Sequence, residues 1–226
     1  MLETTPKAPE PAAAPQPARV QDPDGVRRNI LEVATREFAQ KGLSGARVDE
    51  IAAKTRTSKR MIYYYFGDKE GLFLAVLEAA YARIRTIEGT LDLAGLSPVE
   101  AMRRLAEFTF DYQNANPDFV RLVMVENIHN GEHIARSQTL RGTNVSVLKM
   151  LREIYARGVG EGVFRAGLDA VDLHMTISAL SFFNVANRAT FSHIFEREMG
   201  TPEALARRRA IVAETLLRYV AATPAQ

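Results

Sequence analysis

The sequence predicts an all-α protein in two parts: an N-terminal three-helix domain containing a helix-turn-helix, and a larger helical domain behind it. Three observations predict this. Apolar residues recur at three- and four-residue spacing along most of the chain, while alternating strand-like runs and Asn-Gly hairpins are absent. Gly42, Gly67, Asn116-Pro117 and Gly131 punctuate those periodic segments. The excess positive charge is confined to one N-terminal block.

Each element follows from its residues. Six of the ten prolines lie in the first 23 residues, interleaved with alanine. Such a stretch buries little apolar surface, so residues 1–21 read as a disordered or polyproline-like tail. Order begins at Asp22-Pro23-Asp24, with Asp22 as N-cap and Pro23 at a position whose N–H would be unsatisfied anyway. Val26, Ile30, Val33, Ala34 and Phe38 form the apolar stripe of the first helix, and Gly42 is its left-handed stop. A short second helix over about Val48–Lys54 turns Val48, Ile51 and Ala52 inward. Thr55-Arg56-Thr57 makes a tight connection. Ser58 caps a third helix, Lys59–Phe66, whose core pair is Ile62 and Phe66 at i,i+4. Gly67 ends it. Asp68 caps a longer fourth helix striped by Leu72, Phe73, Val76, Ala80 and Ile84. Further helices follow over about Pro98–Asn114, Asp118–Ile128, Ser137–Gly158, Asp169–Glu198 and Pro202–Ala222. The glycines from Gly158 to Gly167 mark a loop. The domain division is residues 22–70 and 71–226.

Composition excludes several classes. With no cysteine among 226 residues there is no disulfide framework, thiolate nucleophile or cysteine metal site. No run of 18 apolar residues exists, so no bilayer-spanning helix and no membrane partner are expected. The start, MLETTPKAPE, lacks the basic and apolar regions of a secretory signal. The expected location is cytoplasmic. No GxSxG, HExxH or P-loop occurs, so neither an enzyme nor a cofactor site is expected.

The charge distribution points further. Residues 24–70 carry ten basic and seven acidic side chains, whereas residues 71–226 carry 17 of each. Lys54, Arg56, Lys59 and Arg60 fall within seven positions. Such a cluster is an electrostatic footprint for phosphate, and equally the pattern of a solvated face. The segment 48–66 supplies the geometry that favours phosphate. Two short helices joined by a three-residue turn form a helix-turn-helix, whose second helix can enter a major groove. Outside its core pair, that helix and its lead-in present Thr57, Ser58, Lys59, Arg60, Met61, Tyr63 and Tyr64, the donors, cations and amphipathic rings that phosphate and base-edge contacts need.

The stretch Val48-Asp49-Glu50-Ile51-Ala52, followed by Ser58 through Leu72 with Tyr63, Phe66, Lys69, Glu70 and Leu72 at fixed spacing, resembles the DNA-binding signature of TetR-type transcriptional regulators. The resemblance covers roughly residues 24–72. The rest of the chain is similar only in length and helicity. It implies a ligand-responsive regulator, a repressor above all. The homodimer would be joined through the last two long helices, bound to a near-palindromic double-stranded operator and released by a small-molecule effector. By position it implies that Tyr63 and Tyr64 reach phosphates or a base, and that Lys69 holds a phosphate with help from the helix N-terminus. Lys59, Arg60 and Met61 would face base edges, with Arg60 the candidate for guanine, and Arg47 would take a backbone phosphate. Three positions depart from the pattern. Arg47 stands near the usual Ser or Thr cap, Arg56 replaces the usual turn glycine, and Thr57 replaces an apolar residue. A left-handed Arg56 would carry roughly 1 kcal/mol of strain relative to glycine.

In the larger domain, Phe108, Tyr112, Phe119, Met124, Phe182, Phe183 and Asn187 lie on the expected helices beside Asn127, His174 and Ser178. A packed core explains most of them. An apolar cavity with a few polar anchors, the usual form of a small-molecule site, is the other reading. Glu126, His129, Glu132 and His133 have some metal-like spacing, but Gly131 interrupts them and only one Glu-x-x-His copy is present, so no metal is expected. Two other functions stay open at this stage. One is a helical binding or interaction protein without DNA affinity. The other is an enzyme seeded by Glu126, His129 and His133.

Overall fold

The structure, a computed structural model, describes residues 22–143 and 145–222; the tail expected over residues 1–21 lies outside the described residues. Eleven α-helices are described: α1 (Pro23–Gly45), α2 (Val48–Thr55), α3 (Lys59–Phe66), α4 (Lys69–Glu88), α5 (Pro98–Ala115), α6 (Pro117–Ile128), α7 (Gln138–Thr143), α8 (Val145–Gly160), α9 (Ala170–Ala186), α10 (Arg188–Ile194) and α11 (Pro202–Val220), with a short 3-10 turn at Ile134–Arg136. Among the described residues the sole strand-like feature is an isolated bridge between Phe164 and Ala221.

Local chemistry sets the N-terminal helices. Gly42 takes φ 70°, and the last residues of α1 turn away there. Asp22 precedes Pro23 as expected, but its carboxylate meets Arg28 at 3.4 Å instead of capping the backbone. Arg56 closes α2 at φ 53° and ψ 34°, the left-handed conformation that the missing glycine implied. Its N–H and that of Thr57 both reach the carbonyl of Ala52, satisfying the helix end. The Ser58 hydroxyl accepts from the Met61 N–H at 3.1 Å, and Asp68 Oδ1 accepts from the Gly71 N–H at 2.6 Å. Gly71 is required by contact: a Cβ there would lie 2.1 Å from the Phe66 carbonyl oxygen. The α3–α4 corner therefore depends on one missing methyl group.

Two apolar cores follow. The first gathers Ile30 and Phe38 of α1, Ile51 of α2, Ile62 of α3 and Leu72, Phe73, Val76 and Leu77 of α4, with Leu122 of α6 completing it. Phe38 and Phe73 meet edge to face with centroids 5.2 Å apart. The second joins Met102 and Leu105 of α5, Leu151 and Ile154 of α8, Leu173 and Ile177 of α9, and Leu216 and Val220 of α11. Because α4 enters the first core and continues to Glu88, one helix links the two parts.

Two further expectations are corrected. The single helix expected over Asp169–Glu198 is two, broken at Asn187 with φ −108° and ψ 4°. Asn187 sits in the sparsely populated bridge between helical and extended backbone; its N–H still reaches the Phe183 carbonyl at 3.0 Å, and its carbonyl accepts from the Phe191 N–H to start α10. Gly158, expected to open a loop, is instead buried inside α8. A Cβ on it would lie 2.0 Å from the Phe164 ring, so this glycine marks close packing.

Candidate nucleic-acid interface

Recognition of a groove needs a helix held from behind and free in front. Ile62 supplies the hold: it is fully buried, with Tyr65 and Phe66 packed against the same core. In front, Tyr64 is 78 % exposed, Tyr63 39 % and Met61 36 %. Lys59 and Arg60 are also exposed, as is the capping Ser58, while Thr57 is half-buried at the turn. Six of the seven residues expected on this face therefore point outward. Arg47 stands exposed at the start of α2.

The cations differ in what holds them. Lys59 Nζ lies 2.9 Å from Asp49 Oδ1, and that hydrogen bond raises the ammonium above its ordinary range. Lys54 is turned away from the interface. Its ammonium and that of Lys41 each meet the buried Glu37 carboxylate at 2.7 Å. Burial pushes Glu37 up, but the two lysine hydrogen bonds outweigh it and hold the carboxyl below its usual range. Lys69 Nζ donates to the Ser44 carbonyl at 3.2 Å, which ties the start of α4 to the end of α1. The helix N-terminus beside it is already occupied by the Asp68 carboxylate.

The residues expected to line an effector cavity separate into four places. Phe108, Tyr112 and Phe119 come together: both neighbouring ring pairs are 6.0 Å apart, and Tyr81 extends the chain at 5.3 Å from Phe119. His174, Ser178 and Phe182 are half-buried on α9. Met124 and Asn127 are exposed on α6, Asn127 bonding its own helix at the Val123 carbonyl, so neither joins the interior. Asn187, with the exposed Phe183, lines an outer groove of about 300 Å³ between α9, α10 and α11. Apolar character surrounds both α6 and α9, so spacing could not choose a face.

Sequence reasoning missed the polar interior. Arg85 and Glu88 form an ion pair that is almost fully buried on α4. Burial raises the Glu88 carboxyl, against the pull of Arg85. Burial, with Arg85 nearby, lowers His174 to about 4, so its imidazole is neutral. The signal was present as opposite charges at i,i+3 beside Ile84 on an apolar face. The Glu126–His133 pair resolves into a loop clamp. Glu126 Oε1 accepts the backbone N–H groups of His133 and Ile134 at 2.9 and 2.8 Å, and Oε2 lies 2.8 Å from His133 Nδ1. Among the described residues no cluster of three or more His, Asp or Glu is arranged to hold a metal.

The chain that carries this braced helix is similar to known proteins. A family model described as "Bacterial regulatory proteins, tetR family" matches residues 30–76, and one described as "Tetracyclin repressor-like, C-terminal domain" matches residues 98–216. The chain belongs to the TetR family. It is a DNA-binding transcriptional regulator of the helix-turn-helix type. Among its TetR-family relatives is the HTH-type transcriptional repressor NicS of Pseudomonas putida, 35 % identical over 200 residues, which cover 88 % of this chain and 94 % of that one. The HTH-type transcriptional repressor SCO4008 of Streptomyces coelicolor is 32 % identical over 167 residues, 71 % of this chain and 79 % of that one. A solved structure of the S. coelicolor transcriptional regulator SCO4942 superposes with a TM-score of 0.65 at 26 % identity, covering 88 % of this chain and 99 % of that one. No helix among the described residues is long and apolar enough to cross a membrane.

Proposed function

We propose that this chain is a ligand-responsive repressor that binds a near-palindromic operator as a homodimer and releases it when a small molecule occupies its C-terminal part. The observation that carries the DNA reading is the outer face of α3, where Lys59, Arg60, Met61, Tyr63 and Tyr64 surround a helix anchored by Ile62. Arg60 is the base reader, matching guanine bidentately, and Tyr63, Tyr64, Lys69 and Arg47 position the backbone. Two relatives whose names call them repressors support the sign of regulation.

The dimer reading rests on an uncovered apolar stripe. Val171, Met175 and Phe183 are exposed along one side of α9, and Ile211 and Tyr219 along one side of α11. Their i,i+4 multiples place them in line, and a helix apolar on both faces is one that packs on both. Two-fold pairing there would set the two α3 helices about one DNA turn apart, roughly 34–36 Å. Occupancy of residues 71–226 would then act through α4, which joins the effector part to α3.

The test is a salt-dependent titration of the full chain against the DNA upstream of its own gene. Lys69→Ala should weaken binding about equally on all sequences and lower the salt slope by about one. Arg60→Ala should relax sequence preference at one position. A Tyr63→Ala, Lys69→Ala double variant that binds as tightly as wild type overturns the site assignment.

A further inference from the structure

Away from α3, helix α1 lies against both α4 and α6. Between them opens a cleft of about 490 Å³, inside the range of about 300–1,000 Å³ common for small-molecule sites. It is not the outer groove on α9–α11, and it lies behind the DNA-contacting face. Its floor is apolar, with Leu31 of α1, Ala80 of α4 and the rings of Tyr112 and Phe119. Those two rings meet edge to face and present an aromatic surface to the opening.

The rim carries charge that does not cancel. Arg28 is held by Asp22 at 3.4 Å, and Asp118 by Arg121 at 3.7 Å. This leaves Arg36 on α1 and Arg83 on α4 facing the cleft with Glu32. Neither arginine has an ion-pair partner among the described residues, nor does Glu32. One positive charge is therefore uncompensated. Arg83 is close enough to Tyr112 to offset part of the burial that raises its hydroxyl.

We propose that this cleft binds an aromatic monocarboxylate, with the carboxylate on Arg36 and Arg83 and the ring on Tyr112 and Phe119. Planar guanidinium forks match a carboxylate in geometry as well as charge. A single negative charge neutralises the rim, whereas a dianion would overshoot it and a neutral ligand would leave both forks unmatched. The cleft walls belong to four helices, α1, α4, α5 and α6, and one of them, α1, carries the core behind α3. An occupant held by Arg36, Arg83, Tyr112 and Phe119 touches all four and fixes how α1 sits against α6. It changes operator affinity by its difference in affinity for the two arrangements. The binding claim stands by itself; its effect on DNA rests on the repressor reading above.

The experiment uses the full chain, calorimetry and two matched probe pairs, trans-cinnamate with cinnamamide and benzoate with benzamide. We expect a carboxylate to bind and its amide to bind about tenfold more weakly or worse. Arg83→Gln and Arg36→Gln should each lose about tenfold, while Arg152→Gln, an exposed arginine on α8, keeps wild-type affinity. Ligand-free DNA affinity of Arg83→Gln should stay within about twofold of wild type, and cinnamate should shift wild-type DNA affinity by about fivefold or more. Amides that match the acids, arginine variants that keep full affinity, or no binding of either acid at millimolar concentration overturn the site. Binding that leaves DNA affinity unchanged overturns the coupling. Loss of wild-type DNA binding without any probe overturns the repressor reading, and calorimetry still judges the cleft.

Discussion

Replacing Arg56 by glycine should stabilise this chain, although it removes a side chain and adds none. Arg56 holds φ 53° and ψ 34° at the end of α2, and the turn into α3 needs that conformation because the Thr57 N–H returns to the Ala52 carbonyl at 3.0 Å. An L-residue there carries about 1–2 kcal/mol of steric strain. Glycine removes it but widens the unfolded ensemble, which costs about 0.4–1 kcal/mol. The difference is a net gain centred on about 0.8 kcal/mol, within about 0–1.6 kcal/mol. For a chain of this length 1 kcal/mol moves the melting temperature by about 2–4 °C, so Arg56→Gly should melt about 1–4 °C higher. Arg56→Ala separates strain from charge: it gives the same relief from the neighbouring Lys54, Lys59 and Arg60, yet stays left-handed. Scanning calorimetry of the three proteins at one ionic strength reads the result. A glycine variant that melts no higher than the alanine variant refutes the strain assignment. Both variants should lose the same share of DNA affinity, since both lose the same charge.

Three further outcomes follow from the geometry. His174 titrates at about 4 in the fold against 6.5 when free, so between those values the unfolded chain binds the extra proton and stability falls as pH drops from about 6.5 to 4. The loss amounts to about 3 kcal/mol, and a His174→Gln variant whose denaturation midpoint follows the wild-type slope across that window contradicts it. Gly158→Ala drives a methyl into the buried Phe164 ring and should destabilise by about 1–3 kcal/mol in urea unfolding; a neutral result would mean the Gly158–Phe164 contact is not close. Asp49→Asn releases Lys59 to face DNA, so non-specific affinity should rise a few-fold and the salt slope steepen by about one, and an unchanged slope would show that the pair does not hold Lys59 back.

Local signals were the legible ones. Ser58 and Asp68 cap α3 and α4 because a short side-chain oxygen there reaches an open N–H three residues on; Asp22, drawn to Arg28, shows that a competing partner can divert it. The left-handed Arg56 followed from the resemblance, which puts glycine at that turn position. The outward set on α3 was readable because a short helix anchored by Ile62 leaves little choice of face. What could not be read depended on contacts distant in the chain. Glu37 gathering Lys41 and Lys54 spans two helices, and nothing local shows that Lys54 reaches Glu37 while Lys59 reaches Asp49. Met124 and Phe119 occupy the same short helix with similar apolarity, yet one faces solvent and the other the Tyr81–Tyr112 rings. Gly158 read as a loop because the pressure on it comes from Phe164 after the chain has turned back.

Leu122 gives the first core a consequence for modular exchange. The helix-turn-helix does not close its own interior: its apolar cluster runs on through Leu72, Phe73, Val76 and Leu77 and takes Leu122 from α6. A fragment cut at residue 70 would leave Ile30, Phe38 and Ile62 facing water where those five side chains belong. A chimaera that grafts this reading head onto another regulator therefore has to bring α4 through Leu77 and match the α6 surface that receives α1. Operator choice and signal reception, though written in separate stretches of sequence, are in this chain inherited together.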